Sequence, residues 1–444
     1  MKTPLNLCRV VAVFAFIWIF AQIFPCFAAQ DDWQTEAAKR IEQHRKSDLT
    51  ICITQSDGKP IPGAKVELKM VRHRFLFGCN IFKWGRCSTE AENAEYSRKY
   101  AELFNFATLG FYWWDFESEM DRPKYAYAGR VATWCNENGI RAKGHPLAWN
   151  YVDPAWAKNI DGKELYRRQM DRVKLCTDNF KGKIDTWDVI NEVVQWDRED
   201  CVKQSPRLTD LMREHGSIDY AKSCFLQARA GNPNATLLIN DYMHHQDYAD
   251  LVAKLVDAQG KPLYDVIGIQ SHMHSNVWDN KEIWETCERF AKFGKPLHFT
   301  ELTVLSTLQK FNWTDWNVAT SEEGEAKQRD EVVRIYTMLF SHPSVEAITW
   351  WDFSDQGAWM EAPSGLLRKD MSNKPAYDAL LQLIKKDWAT NETLTTDAKG
   401  EVSLRAFQGV YTVKITYPDG STIPEGTVQL SVEKEKMRFE FKKE

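Results

Sequence analysis

The amino-acid sequence predicts an α/β protein: a (β/α)8 TIM barrel carrying a small split β-sandwich built from the two ends of the chain. Two observations predict it. Through the middle of the 444 residues, short apolar runs alternate with helix-patterned segments, and nearly every run ends in polar or aromatic residues. Both ends instead alternate apolar and polar residues around turn chemistry, as strands of antiparallel sheets do.

In chain order, Lys2 and Arg9 precede the apolar stretch VVAVFAFIWIFAQIF, and CFAAQDD follows it. This pattern predicts an export signal over residues 1–29, cleaved near Ala29, and hence a secreted or periplasmic protein. Because apolar character runs from Val10 to Ala29, an uncleaved membrane anchor is the alternative. Residues 30–72 hold a polar helical segment, Trp33 to Lys46, then LTICITQSDGKPIPGAKVELKMVRHRF. With Asp-Gly and Pro-Gly turns inside it, the latter reads as a β-hairpin.

The barrel is expected over residues 73–388. Its strands are FLFGCNI, FNFATLGF, IRAKGHPLAW, IDTWDVINE, ATLLINDY, VIGIQSHMH, PLHFTELTV and EAITWWDFS. RRQMDRVKLCTDNF and KQRDEVVRIYTMLF place apolar residues at helical spacing, and KPAYDALLQLIKK supplies the eighth helix. Residues 389–444 return to alternation in EVSLRAF, GVYTVKITY, TVQLSVE and MRFEFKK. They are expected to pack with residues 30–72 as one β unit. Its aromatics, Phe407, Tyr411 and Tyr417, suit a small core better than a flat sugar-binding face.

Composition narrows the function. A net charge of −5 leaves no electrostatic footprint for nucleic acid. Eighteen tryptophans exceed what a core requires and suggest flat apolar faces lining a cleft, as sugar sites use. Ten cysteines include no C-x-x-C pair, so neither a zinc nor a thioredoxin motif is supported. Glycosylation triplets begin at Asn234, Asn312 and Asn391 and matter only in a host that glycosylates.

The polar strand ends are Asn80, His145, Trp149, Asn191, Glu192, Asn240, Asp241, Gln270, His272, Glu301 and Trp351. In a parallel barrel these ends line the active site. Glu192 ends the fourth strand and Glu301 the seventh, across the mouth from one another. Glycosidic cleavage needs one carboxylic acid to protonate the leaving oxygen and a second carboxylate to attack the anomeric carbon or activate water. Asn191 can bond a sugar 2-hydroxyl, and Gln270 and His272 share one strand face. Trp351 and Trp359 offer a floor and a wall. A metal-dependent barrel using His272 and His274 would need further ligands on other strands, and the first strand has no His-x-His.

GHPLAW, WDVINE, LLINDY, GIQSHMH, TEL and ITWWDFSDQGAW…KPAY, in this order, resemble glycoside hydrolase family 10, the β-1,4-xylanase family, from about Phe75 to Lys386. The resemblance implies a secreted endo-acting enzyme that cleaves xylan by a retaining double displacement. It implies Glu192 as acid/base and Glu301 as nucleophile. His145, Trp149, Asn191, Gln270, His272, Trp351 and Trp359 match the family's sugar-binding positions. No metal or cofactor is implied; the partner is plant cell-wall polysaccharide, and the expected state is a monomer.

One stretch departs from the pattern. Where the family carries Glu-Asn-x-x-Lys-Trp after the second strand, this chain reads LGFYWWDFESE. Phe111, Tyr112, Trp113 and Trp114 replace groups that grip the non-reducing sugars by hydrogen bonds. Tyr112, Trp113, Trp114 and Asn240 thus become further candidate contacts, and another β-glycoside becomes the alternative substrate. A non-catalytic carbohydrate-binding protein is a third reading; the presence of both glutamates argues against it.

Overall fold

In the computed structural model, residues 33–312, 318–422, 428–431 and 436–443 are described; the signal expected over residues 1–29 lies outside them. Eight parallel strands close into a barrel: Leu76–Asn80, Phe106–Gly110, Arg141–His145, Thr186–Asn191, Thr236–Asp241, Val266–Met273, Leu297–Val304 and Val345–Trp350. The last strand pairs with both the seventh and the first, completing the ring. The fourth and seventh strands are buried at every position. That is why they read as unbroken apolar runs rather than alternating ones.

Helices cover the outside and are started by side chains. Asp161 accepts from the Glu164 amide to open Gly162–Asn179, and Thr89 with Glu92 forms a reciprocal cap on Glu90–Leu103. Helix Gly162–Asn179 also brings Arg172 inward. Its guanidinium donates to the carbonyls of Leu147 and Phe111, tying the loops after the second and third strands together.

The two chain ends form two sheets around one core. Lys46–Gln55 lies between Glu401–Phe407 and Lys436–Lys443 in a three-stranded sheet. Lys65–His73 lies between Asn391–Thr395 and Gly409–Thr416, which in turn pairs with Val428–Ser431. Leu49, Ile51 and Ile53 of one sheet meet Val66, Leu68, Tyr411 and Tyr417 of the other in a shared buried cluster.

The hairpin expected from residues 49–75 does not form. Its two halves stand in different sheets, joined by residues 56–64, and the Thr54–Pro60 bridge ties the first strand to that connection rather than to the second strand. Facing strands of a sandwich bury alternate residues just as paired strands do, so the pattern alone does not separate them. Strand Asn391–Thr395 escaped the sequence reading because it is largely exposed and carries no apolar alternation. Phe407 turns instead toward the barrel, against His73 and Phe340.

Candidate active site

Glu192 sits where the fourth strand ends, with a φ of 59°. This left-handed conformation is rare for a residue with a side chain and recurs where a site dictates the backbone. The Glu192 amide donates to the Asn240 carbonyl at 2.9 Å, which holds the turn. On its carboxyl group, Oε1 accepts from Asn191 Nδ2 and Gln270 Nε2, each at 3.1 Å, and Oε2 lies 2.7 Å from Arg198 Nη2. Burial pushes the Glu192 carboxyl above its ordinary range. Arg198 and Gln270 oppose that push without cancelling it, and the like charge of Glu301 adds to it.

Glu301 lies equally deep and titrates the other way. Burial would raise it, but the positive field of His145 and the hydrogen bond and charge of His272, with Lys143 behind them, hold it below the ordinary range. His272 Nε2 stands 3.0 Å from Glu301 Oε2, and its Nδ1 meets the Thr303 hydroxyl at 3.1 Å. Asn240 Nδ2 donates to Glu301 Oε1 and to Asn191 Oδ1, both at 2.8 Å, while Asn240 Oδ1 accepts from Thr300 at 2.6 Å. Asn240 is therefore the link between the two carboxyl groups' partners. Its approach depends on Gly268 next door, where an added Cβ would stand 2.6 Å from Asn240 Oδ1.

Beneath Glu301 is a buried ion pair. Asp188 Oδ2 accepts from Lys143 Nζ at 2.6 Å and from His145 Nδ1 at 2.7 Å. Burial would raise Asp188, but Lys143 and His145 outweigh it and hold the carboxyl below its usual range. Ionised Asp188 can only accept, so His145 carries its proton on Nδ1. His145 Nε2 then faces Glu301 Oε1 at 3.9 Å.

Aromatic rings form the walls. Trp351 lies on the floor, 5.5 Å edge-to-face from His145 and 5.7 Å from His272, while the more exposed Trp359 leans on His272 at 4.7 Å. On the opposite side Trp149 stacks on Tyr151 at 4.4 Å and Tyr112 on Trp114 at 4.8 Å, with Tyr112 edge-on to His145.

The FYWW stretch divides in two. Tyr112 and Trp114 face the cleft; Phe111 and Trp113 point into the core. Phe111 packs on Phe116 and Trp187, and Trp113 packs on Trp156 and donates to Glu117 at 2.9 Å. Trp113 is thus placed away from the substrate side on which the sequence reading put it. The short helix Trp113–Phe116 turns neighbouring side chains to opposite sides, which sequence adjacency conceals.

Four residues of this site escaped the sequence reading: Lys143, Asp188, Tyr151 and Arg198. Lys143 and Asp188 were visible as charges inside the otherwise apolar strand runs RAKGH and WDVIN. Arg198 had no such signal, because its loop after the fourth strand has no periodicity. Asp241, which burial pushes up to about 7, pins that loop by accepting from the Val194 and Met243 amides. Asp352, raised by burial to about 6, accepts from Ser364 and from the Trp359 amide, fixing the Trp359 loop.

His274 lies with its ring 5.7 Å from that of His272 and packs on Phe311 and Trp359, and burial lowers it to about 3. Among the described residues, no three His, Cys, Asp or Glu side chains gather as metal ligands would.

A closed β/α barrel whose mouth holds one carboxyl group pushed toward protonation and another held ionised is the paired-carboxylate class of barrel. The chain belongs to glycosyl hydrolase family 10, whose model matches residues 70–383. Over 87% of its length the chain is 25% identical to the anti-sigma-I factor RsgI6 of Acetivibrio thermocellus, of which the match covers 47%. It is 24% identical, also over 87%, to endo-1,4-beta-xylanase 1 of Arabidopsis thaliana, of which the match covers 38%. The chain thus spans less than half the length of these relatives. Among solved structures, xylanase 10B of Thermotoga petrophila RKU-1 in complex with xylobiose superimposes with a TM-score of 0.58 at 22% identity, covering 70% of this chain and 95% of that one. Native xylanase10C of Cellvibrio japonicus gives 0.59 at 19% identity, covering 70% and 71%. Both share the fold.

Proposed function

We propose that the protein is a retaining glycoside hydrolase that cleaves internal β-1,4-xylosidic bonds of xylan-type polysaccharide, and that residues 1–29 direct its export. The observation that carries the chemistry is two buried carboxyl groups in one cleft with opposed surroundings: burial raises Glu192 despite Arg198 at 2.7 Å, while His145 and His272 outweigh burial and hold Glu301 low.

Ionised Glu301 attacks the anomeric carbon while the bond from that carbon to the leaving oxygen breaks. Glu192 gives its proton to that oxygen, and the sugar stays esterified to Glu301. Glu192, now a carboxylate, takes a proton from water as the water oxygen attacks the same carbon and frees Glu301. Two inversions restore the β configuration.

The surroundings suit both steps. Once Glu301 is esterified its negative charge is gone, and Arg198 at 2.7 Å stabilises the newly ionised Glu192. Asn191 and Gln270 donate beside Glu192, where they can hold sugar hydroxyls in the transition state.

Xylan as substrate draws support from family membership and from the xylanases among the relatives. A panel of xylan, glucuronoxylan, arabinoxylan, mixed-linkage glucan and aryl β-xylosides, with products identified, tests it. Xylo-oligosaccharides released from xylan are the expected result. Turnover confined to the glucan would replace the substrate while keeping the chemistry, and binding without turnover of any glycan would replace the chemistry too.

A further inference from the structure

The loops after the first and second barrel strands enclose a cavity of about 160 Å³ that neither catalytic carboxylate touches. Two rings part it from the cleft. Phe82 meets Trp351 edge-to-face at 5.5 Å, and Tyr112 meets His145 at 5.5 Å, with 5.8 Å between Phe82 and Tyr112. Both rings line the cavity on their other side. Gly110, which ends the second strand, is exposed and lines the cavity beside both rings, where an added Cβ would meet the Phe82 ring at 3.4 Å and the Tyr112 ring at 3.7 Å. The volume is below the roughly 300–1,000 Å³ of sites for drug-sized ligands, so it suits a single ring rather than a length of chain.

The cavity's chemistry is mixed. Ile81, Leu109 and Val131 are apolar, while Arg86 and Lys124 bring positive charge. Lys124 pairs with Asp115 at 2.5 Å. Arg86 holds its Cζ 3.9 Å from the centroid of the Tyr127 ring, hydrogen-bonds the Tyr127 hydroxyl and, among the described residues, has no carboxylate within ion-pair distance. Two cations against one anion leave one positive charge uncompensated. A guanidinium carries more N–H donors than one hydroxyl accepts, and its planar fork matches the geometry of a carboxylate.

The position also identifies which part of a substrate arrives here. Glu192 must touch the leaving oxygen, so its own loop, with Arg198 and Tyr242, borders the leaving-group side. The cavity lies on the other flank, between the first two loops, beside Trp351.

We propose that this cavity binds a uronic acid side group carried by a sugar on the non-reducing side of the scissile bond, its carboxylate held by Arg86 and Lys124. The inference rests on the glycoside hydrolase reading and adds a decoration that the substrate carries.

The test uses the full chain as Glu301→Gln, which binds without cleaving. The probes are glucuronic-acid-substituted xylo-oligosaccharides and the same oligosaccharides after reduction of the carboxyl to an alcohol, compared by calorimetry at low salt. The acid form should bind about tenfold more tightly, and adding Arg86→Met or Lys124→Met should bring the two forms toward one Kd. Equal affinity in the parent protein, or a preference unchanged by both substitutions, overturns the inference. Wild-type turnover separates the two levels. Cleavage of acid and reduced forms with equal kcat/KM sinks the uronic acid pocket alone, whereas failure to bind or cleave either form removes both the pocket and the hydrolase reading.

Discussion

The floor of the cleft and the loop after the second strand face the same substrate and are built on different physics. On the floor, Glu192, Glu301, Asn191, Asn240 and Gln270 are joined by directional hydrogen bonds between ends of neighbouring strands. In the loop, Tyr112 and Trp114 present stacked rings, and Arg172 and the Phe111 amide tie the backbone beneath to the third strand's end and loop. Hydrogen bonds fix where charge can develop, so on the proposed reading the floor determines the reaction. Stacked rings tolerate many sugars, so on the proposed reading the loop and the cavity behind it select which glycan is held.

The largest effect belongs to the floor. Glu301→Gln should lower kcat by about 10⁴-fold or more while circular dichroism and melting stay close to wild type. Near-wild-type activity would remove Glu301 as nucleophile and level the contrast.

Next comes the buried pair under it. Asp188→Asn leaves Lys143 charged and unpartnered, and should cost about 3–5 kcal/mol in urea unfolding. A loss below 1 kcal/mol would mean that the floor is not held electrostatically.

Within the loop, two adjacent tryptophans should part company. Trp113→Ala should destabilise the fold by about 3–5 kcal/mol. Trp114→Ala should leave stability alone and raise KM for oligosaccharides by about two- to tenfold. The same phenotype for both would erase the division between core-facing and cleft-facing rings.

The smallest change concerns Arg198. It favours the ionised form of Glu192, so Arg198→Met should raise the Glu192 pKa and keep the acid protonated to higher pH. The alkaline limb of kcat/KM should move up by about one pH unit or more. A downward move would mean that Arg198 does not act through Glu192.

How far each region could be read from sequence follows the same division. The eight strands, and the position of Glu192 and Glu301 at the mouth, were legible because a buried parallel strand must be apolar until it reaches the mouth, and polarity there stands out against that background. Asn191 and Gln270 were legible for the same reason. Arg198 was not, since a loop carries no period that fixes where its side chains point. Trp113 failed on one turn of helix, and the hairpin over residues 49–75 failed because alternation reports burial without naming the partner strand. Lys143 and Asp188 could have been found, because a charge inside a barrel strand demands an opposite one on its neighbour.

The claim that ties these parts together is a covalent glycosyl intermediate on Glu301, with Glu192 serving first as acid and then as base. Proton NMR of the first reducing-end product, recorded before mutarotation, tests it most directly. The β-anomer should appear at the earliest time points, with the α-anomer growing in only later. The α-anomer appearing first would mean single displacement by water and would contradict it.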